Sequence, residues 1–517
     1  MNARFSRVYS GELSGIDARC VEVEVDLHVG LHSFSIVGLA DKALSEARER
    51  VSAALKNSGV KPPSQENRKI IVNLAPADIK KTGSQYDLAI AIGYLVATEQ
   101  MQKFETKGVM FLGELALDGG VRSVAGVLNM ACMAREKGFT ELYVPAVNAR
   151  EAALAGLPCS TPSGITIFPV RTLVALIAHL EGRAPISPVS ADETAFEPIA
   201  HSVDFADVRG QAAAKRALMI AACGGHHALM SGSPGSGKTM LAQAFAGLLP
   251  ALARDEVIEV TRIYSASGAL AAKYAVTERP FRAPHHTASA AAIVGGGSYP
   301  RPGEISLAHK GVLFLDELPE FRRDVLESLR EPLESGRVTI ARSNGSLSLP
   351  ARFILIAAMN PCPCGYYGDS RRDCACGAHE ITRYKKKVSG PILDRIDLQV
   401  HVPHVELADL SVSRSPKGGV GADTKSMRET VTRVRAAQVA RRGVLNGALS
   451  SKQVSEGVAL DASAQAFFGK IWGSSTLSAR GYYRLLKVAQ TIADIDGAPT
   501  VAEAHVAEAF TYRLREK

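Results

Sequence analysis

Apolar residues recur along this chain with two different spacings. CVEVEVDLHV (20–29) alternates at period two and predicts a strand with one buried face. KALSEARERVSAALKNSG (42–59) carries its apolar residues at helical spacing and predicts an amphipathic helix closed by Gly59. KIIVNLAP (69–76) predicts a second strand, and the continuous apolar run DLAIAIGYLVA (87–97) a buried helix. VMFLGELAL (109–117) followed by DGG predicts a strand and turn, VLNMACMAREKG (127–138) a helix and ELYVP (141–145) a strand. This mixture defines an α/β domain. From about residue 427 the pattern turns helical: MRETVTRVRAAQVARRG, whose five arginines suit a solvated face, then SARGYYRLLKVAQTIADIDG and VAEAHVAEAFTYRLREK.

Two stretches break these patterns. Residues 181–203 are rich in Pro, Ser, Ala and acid and predict a linker; 411–426 are polar and Gly-rich and predict a loop between folded parts. The chain of 517 residues thus divides into three parts, as its length suggests at roughly 150 residues per domain. With 60 basic and 52 acidic residues the formal charge is 60 − 52 = +8, which permits an anionic partner without requiring one. No apolar run reaches the ~18 residues a membrane helix needs, and the first residues contain no apolar signal segment. Of eight cysteines, four crowd into 362–376. The expected setting is a reducing cytoplasm, without membrane association, and with one metal site.

The sharpest chemical signal is GSPGSGKT (Gly232, Ser233, Pro234, Gly235, Ser236, Gly237, Lys238, Thr239), between the apolar run HALM and the helical pattern MLAQAFAGLL. Glycines let backbone N–H groups wrap phosphate oxygens at a helix N-terminus. Lys238 would neutralise the β- and γ-phosphates and Thr239 would hold magnesium. GVLFLDEL (311–318) supplies a buried strand ending in an acidic pair. Asp316 would complete the magnesium shell and Glu317 would activate the attacking water. A third strand, FILIAAMN (353–360), ends at Asn360, a candidate γ-phosphate sensor. ATP and magnesium are the cofactors this constellation implies.

DVRGQAAAKRAL, GSPGSGKTMLA, FRAPHHTASAAAIVGGGSYPRPGEISLAHKGVLFLDELPEF, AAMNPCPCG and SGPILDRIDL together resemble the magnesium-chelatase-subunit-like AAA+ ATPases, and within them the ComM (YifB) group. The resemblance spans essentially the whole chain. It implies an N-terminal Lon-protease-like α/β domain at 1–180, a linker at 181–203, a central AAA+ P-loop ATPase core with a parallel sheet at 204–410, and a helical lid at 411–517. It places Gln211 beside the adenine pocket, Arg395 (LDRID) as an arginine finger acting on a neighbouring subunit, and Arg480 (SARGYYRLL) as the lid's sensor arginine. A finger supplied in trans demands an oligomer, and the family's habit is a hexamer. The group's activity implies a DNA helicase driving branch migration on single-stranded and branched DNA during natural transformation. The alternative is a chelatase-type ATPase that remodels a protein partner.

Residues 1–170 resemble the Lon protease fold through YDLAIAIGYL and GELALDGGVRSVAGVLNMACMAREKGFTELYVP. The nucleophilic serine position falls at Tyr86 and the lysine position at Leu128–Met130, so the dyad is absent and proteolysis is not expected. Ser84, Lys80 and Lys81 lie nearby and are expected to be solvated. PCPCGYYGDSRRDCACG holds Cys362, Cys364, Cys374 and Cys376 as two C-x-C pairs, a four-thiolate set suited to zinc; His379 is a substitute ligand, and metal-free thiols or a redox pair are the alternatives. Arg371, Arg372 and Arg383, with Tyr366, Tyr367 and Tyr384, make this loop a candidate DNA contact. SGRVTIARSNGSLSLPARF (335–353) predicts a hairpin turning at Asn344-Gly345, with Arg342 as its phosphate contact. His285 and His286 fit either a pore contact or a packed pair.

Overall fold

The computed structural model describes residues 5–39, 42–65, 67–78, 80–156, 164–190, 203–270, 273–297, 301–342, 345–369, 371–404, 423–474 and 478–513. Most of the linker and most of the 411–426 loop lie outside them. The chain divides into two compact units, the first comprising Met1–Glu197, Ala253–Thr277 and Ser298–Pro302, the second the remainder.

The first unit is built on a seven-stranded mixed sheet, in the order Ser33–Val37, Arg68–Ala75, Asp17–Val29, Phe5–Ser14, Val109–Phe111, Glu141–Pro145, Thr166–Val170. The alternation in 20–29 has the expected result: Val21, Val23 and Val25 are fully buried, and Val23 pairs in register with Val8 on one side and Leu74 on the other. The run predicted as a buried helix is the helix Asp87–Ala97, every residue of which is buried. Asp87 survives there because Arg50 grips both its carboxylate oxygens, at 2.7 and 3.0 Å. Phe5–Ser14, Ser33–Val37 and Thr166–Val170 add three strands that the period-two reading did not pick out, and residues 109–117 form two strands, Val109–Phe111 and Glu114–Leu115.

The Lon dyad positions are filled by packing groups. Tyr86 is fully buried and its hydroxyl donates to Glu12, while Leu128, Asn129 and Met130 lie buried in the helix Val127–Glu136. Lys81 departs from expectation: it is buried rather than solvated, its amine donating to the Pro76 carbonyl. Lys80 is exposed, and the Ser84 hydroxyl donates to Glu114. The helix Arg254–Ser267 follows the phosphate-loop helix in sequence yet belongs to this first unit. Its Ser265 carbonyl accepts from Gly126 N at 2.9 Å and its Arg262 donates to the Ile16 carbonyl at 3.2 Å.

The second unit holds a five-stranded, wholly parallel sheet in the order Phe281–Arg282, Val312–Leu315, Ile354–Met359, Ala228–Ser231, Leu398–His401. Val312–Leu315 and Ile354–Met359 are continuously apolar because both sheet faces are covered. Each fully buried Val, Leu, Ile or Phe contributes about 1.5–3 kcal/mol. The C-terminal helices Thr424–Arg442, Ala462–Ser474, Ala479–Asp496 and Glu503–Thr511 share one apolar core with this sheet. A buried polar latch ties them further: His226 faces Asp397 at 3.1 Å and Thr491 at 2.8 Å, and Arg484 reaches Asp397 at 3.4 Å. Burial raises the Asp397 carboxyl, but His226 and Arg484 outweigh it and hold the group below the usual carboxylate range.

Candidate nucleotide site and cysteine loop

In a parallel sheet all strands deliver their following loops to one edge, and this sheet puts three chemical groups there. Ala228–Ser231 leads into the phosphate loop, Val312–Leu315 into Asp316 and Glu317, and Ile354–Met359 into Asn360. Gly235 and Gly237 take φ of 77° and 91°, the left-handed backbone the loop needs to wrap phosphate, and the helix Lys238–Leu248 starts at once behind them.

Lys238 is 8% exposed. Its amine donates to the carbonyls of Gly232 (2.7 Å) and Ser233 (2.9 Å) and stands 3.4 Å from Asn360 Oδ1. Burial lowers its pKa, opposed by the charges of Asp316 and Glu317. Thr239 Oγ1 donates to Asp316 Oδ2 at 2.9 Å, so the two residues expected to hold magnesium already meet. Asp316 Oδ1 accepts from Glu317 N at 2.9 Å, and Glu317 has φ of 51°, an uncommon backbone for a glutamate and one found at functional sites. Gln211 is buried at the left-handed position ahead of the helix Ala212–Gly224, and its amide donates to Ser236 O and Pro403 O at 3.3 and 2.5 Å. It therefore adjoins the phosphate loop.

The histidine pair lies beside the acidic pair. Phe281–Arg282 lies parallel to the acidic-pair strand, so the residues that leave its end arrive beside Glu317. His286 Nδ1 stands 3.2 Å from Glu317 Oε2, and the two imidazoles lie tilted at 33° with centroids 4.1 Å apart. Both line a cavity of about 300 Å³ with Thr239, Asp316 and Glu317. Sequence reasoning saw the histidines but not this partner; the available signal was their position just past a strand of the same sheet.

The arginines differ in setting. Arg395 is 8% exposed, donates to the Pro391 carbonyl at 2.7 Å and pairs with Glu334 at 2.5 Å. Arg480 is exposed in the first turn of Ala479–Asp496, and in that helix Arg484 is the arginine that joins the latch. Arg342 ends the first strand of the predicted hairpin, in register with Gly345; its side chain and Asn344 lie outside the described residues.

All four cysteine sulfurs lie within 4.8 Å of one another. Cys362 Sγ is 3.3 Å from Cys364 Sγ, and both are 3.6 Å from Cys374 Sγ. A tetrahedral zinc with bonds of ~2.3 Å requires sulfurs roughly 3.8 Å apart, so the donor set fits that cation. Arg372 lies over the Tyr366 ring at 4.4 Å and Lys385 over the Tyr367 ring at 5.7 Å, and Tyr384 is buried. The loop presents basic groups beside one ring: Arg371, Arg372, Arg383, Lys385 and Lys386 are exposed, and so is Tyr367.

A phosphate loop, an acidic pair and a polar asparagine on adjacent strands of a parallel sheet, with a helical region packed behind, define a P-loop ATPase of the AAA+ class. Comparison with known proteins narrows the class. Residues 204–410 match the family described as magnesium chelatase, subunit ChlI; residues 23–148 match subunit ChlI of Mg-chelatase, and 421–513 its C-terminal part. The chain is 42% identical over 509 residues to competence protein ComM of Haemophilus influenzae, covering 98% of this chain and 97% of that protein. It is 40% identical over 512 residues to the uncharacterised protein YifB of Escherichia coli, covering 99% and 97%. Lon protease of Rhizobium meliloti is 26% identical over 169 residues, 33% of this chain and 20% of that protein. The chain belongs to the magnesium-chelatase family of AAA+ ATPases, in its ComM-like branch. ATP and magnesium follow as its cofactors. Among the described residues no helix is long and apolar enough to cross a membrane.

Proposed function

We propose that this protein is an ATP-driven motor that translocates on DNA, works in the cytoplasm as a hexameric ring, and promotes branch migration during homologous recombination of transforming DNA. The observation that carries the reading is likeness over almost the whole chain to a protein named for competence, joined to an ATPase site with its acidic pair and sensor in place. The parts assigned are an N-terminal Lon-like domain at 1–180, a linker at 181–203, a core at 204–410 and a lid at 411–517.

Roles follow from chemistry. Lys238 and the loop amides hold the phosphates, Thr239 and Asp316 hold magnesium, and Glu317 orients the attacking water with His286 fixing its carboxylate. Asn360 senses the γ-phosphate. Arg395 acts on a neighbour's nucleotide and Arg480 on its own. Cys362, Cys364, Cys374 and Cys376 hold zinc. Arg342 and the exposed arginines and lysines behind the cysteines grip DNA phosphates.

Phosphate contacts release condensed counterions and carry no base information. Affinity should therefore fall with salt, and equally for unrelated sequences. The deciding experiment is ATP-dependent unwinding of forked and three-stranded DNA by the purified chain, with ATPase measured in parallel. A protein that neither binds DNA at low salt with ATP present nor unwinds it would transfer the reading to a chelatase-type remodeller of a protein partner.

A further inference from the structure

The cysteine loop is not a free appendage of the core. Asn360 precedes its first thiol by two residues and faces Lys238 at 3.4 Å. The loop then folds back over the phosphate loop. The Arg371 backbone N–H and then the nearby Ser233 hydroxyl hold the Asp369 carboxyl below its ordinary range, and Ser233 is 6% exposed. Gly365 is buried at φ +88°, and a Cβ there would stand 2.6 Å from Pro234 Cδ and 3.9 Å from Asn360 Cγ. The loop backbone therefore lies directly on the proline ring. In a phosphate loop the fixed glycines and lysine face the nucleotide, and the intervening positions are variable. Here Ser233 and Pro234, two of those positions, are both taken up by the cysteine loop.

This wall has little internal support. Residues 362–376 contain no helix or strand among those described, and only Cys362 and Gly365 of them are buried. An apolar core cannot hold such a segment, whereas four thiolates around one cation can, because metal binding there supplies folding free energy.

We infer that the cysteine loop, clamped by a zinc-class cation, is the structural wall of the phosphate loop, so that occupancy of the four thiolates sets the affinity for nucleotide. The inference rests on the four-thiolate reading of the proposed function and adds a consequence to it. Without the cation, Ser233, Pro234 and Asn360 lose their support together, and the phosphate loop must be ordered by the nucleotide alone. Loss of metal then appears as weakened nucleotide binding while the fold of both units persists.

The test uses the full-length chain under reducing conditions. Metal content is measured by mass spectrometry. The cation is displaced with a mercurial, which is then removed with thiol and chelator. Binding of a fluorescent, non-hydrolysable ATP analogue is titrated before stripping, after it, and after adding zinc chloride, with circular dichroism as the folding control. The expected result is about tenfold weaker binding on stripping, roughly 1.4 kcal/mol, restored by zinc. Asp369→Ala leaves the thiols intact; it should keep its zinc, bind the analogue more weakly, and show a smaller metal-dependent ratio than wild type. Stripped protein that binds within about twofold of the loaded form, or an Asp369→Ala ratio equal to wild type, overturns the inference alone. A purified chain with no metal overturns the four-thiolate reading and the inference with it.

Discussion

Glu151→Gln should stabilise the first unit, and more so as the pH rises. Glu151 is 5% exposed and its Oε1 accepts hydrogen bonds from Asn148 Nδ2 at 3.2 Å and Ser265 Oγ at 3.4 Å. Burial raises its pKa from 4.5 to about 7 against these bonds. Between those values the folded chain holds a proton that the unfolded chain has released. Stability therefore falls as pH rises through that window and levels off above it. At about 1.4 kcal/mol per pH unit, the charged form costs the folded state roughly 3 kcal/mol near pH 8 and about 1 kcal/mol near pH 5. The neutral amide can accept the same bonds, so the substitution should remove those costs. The chain's single tryptophan, Trp472, lies in the second unit and would not report the change. Hydrogen exchange of the amides in Val127–Glu136 and Arg254–Ser267, corrected for intrinsic rates at each pH, does report it. Equal stabilisation at both pH values, or destabilisation near pH 8, would refute the reasoning.

Lys238→Ala should abolish ATP turnover by removing the charge that clamps the phosphates; turnover at wild-type rate would remove Lys238 from the site. Glu317→Gln should bind ATP and fail to hydrolyse it, and His286→Ala should lower kcat by about tenfold at unchanged analogue affinity, as loss of one carboxylate contact implies. Arg395→Ala should lose hydrolysis yet regain part of it when mixed with Lys238→Ala, since a mixed interface contains one intact site; no rescue in assemblies shown to be mixed counts against a role in trans. Asp397→Asn should lower the urea midpoint followed by Trp472 fluorescence, by about 3 kcal/mol in stability, because it leaves the largely buried Arg484 guanidinium without its counter-charge.

The ATPase site was legible because phosphate chemistry demands contiguous residues. GSPGSGKT, LDEL and the Asn360 strand are each local, and each could be placed by one motif and one apolar run. What escaped was assembled from a distance. No periodicity in HH (285–286) says that the strand before it lies next to Val312–Leu315, and hence that His286 meets Glu317. The same holds for Asp369 on Ser233, and for the helix Arg254–Ser267, which folds with the first unit although its sequence neighbours do not. Lys81 misled for another reason. A lysine in a polar stretch is ordinarily solvated, and here the Pro76 carbonyl that receives its amine, with the nearby charges of Asp78 and Glu12, makes burial tolerable.

The segment LDRID holds three charges, Asp394, Arg395 and Asp397, and Arg395 and Asp397 do not pair with one another. Asp397 is held inside by His226 and Arg484, and its loss would leave the part-buried Arg484 guanidinium without its counter-charge. Arg395 is tied instead to Glu334, whose side chain is 50% exposed. A pair with one solvated member is worth about 1 kcal/mol or less, against several for a buried pair broken on one side. Arg395 Nε also has no hydrogen-bond acceptor among the described residues. An arginine that is weakly tethered, with an unmet donor, can turn to a stronger anion at small cost, and a nucleotide phosphate offers both charge and paired oxygens. The aspartate beside it fixes the backbone from which that turn is made. The proposed finger role draws on this division: a backbone anchored by Asp397, and a guanidinium whose acidic partner, Glu334, is half exposed.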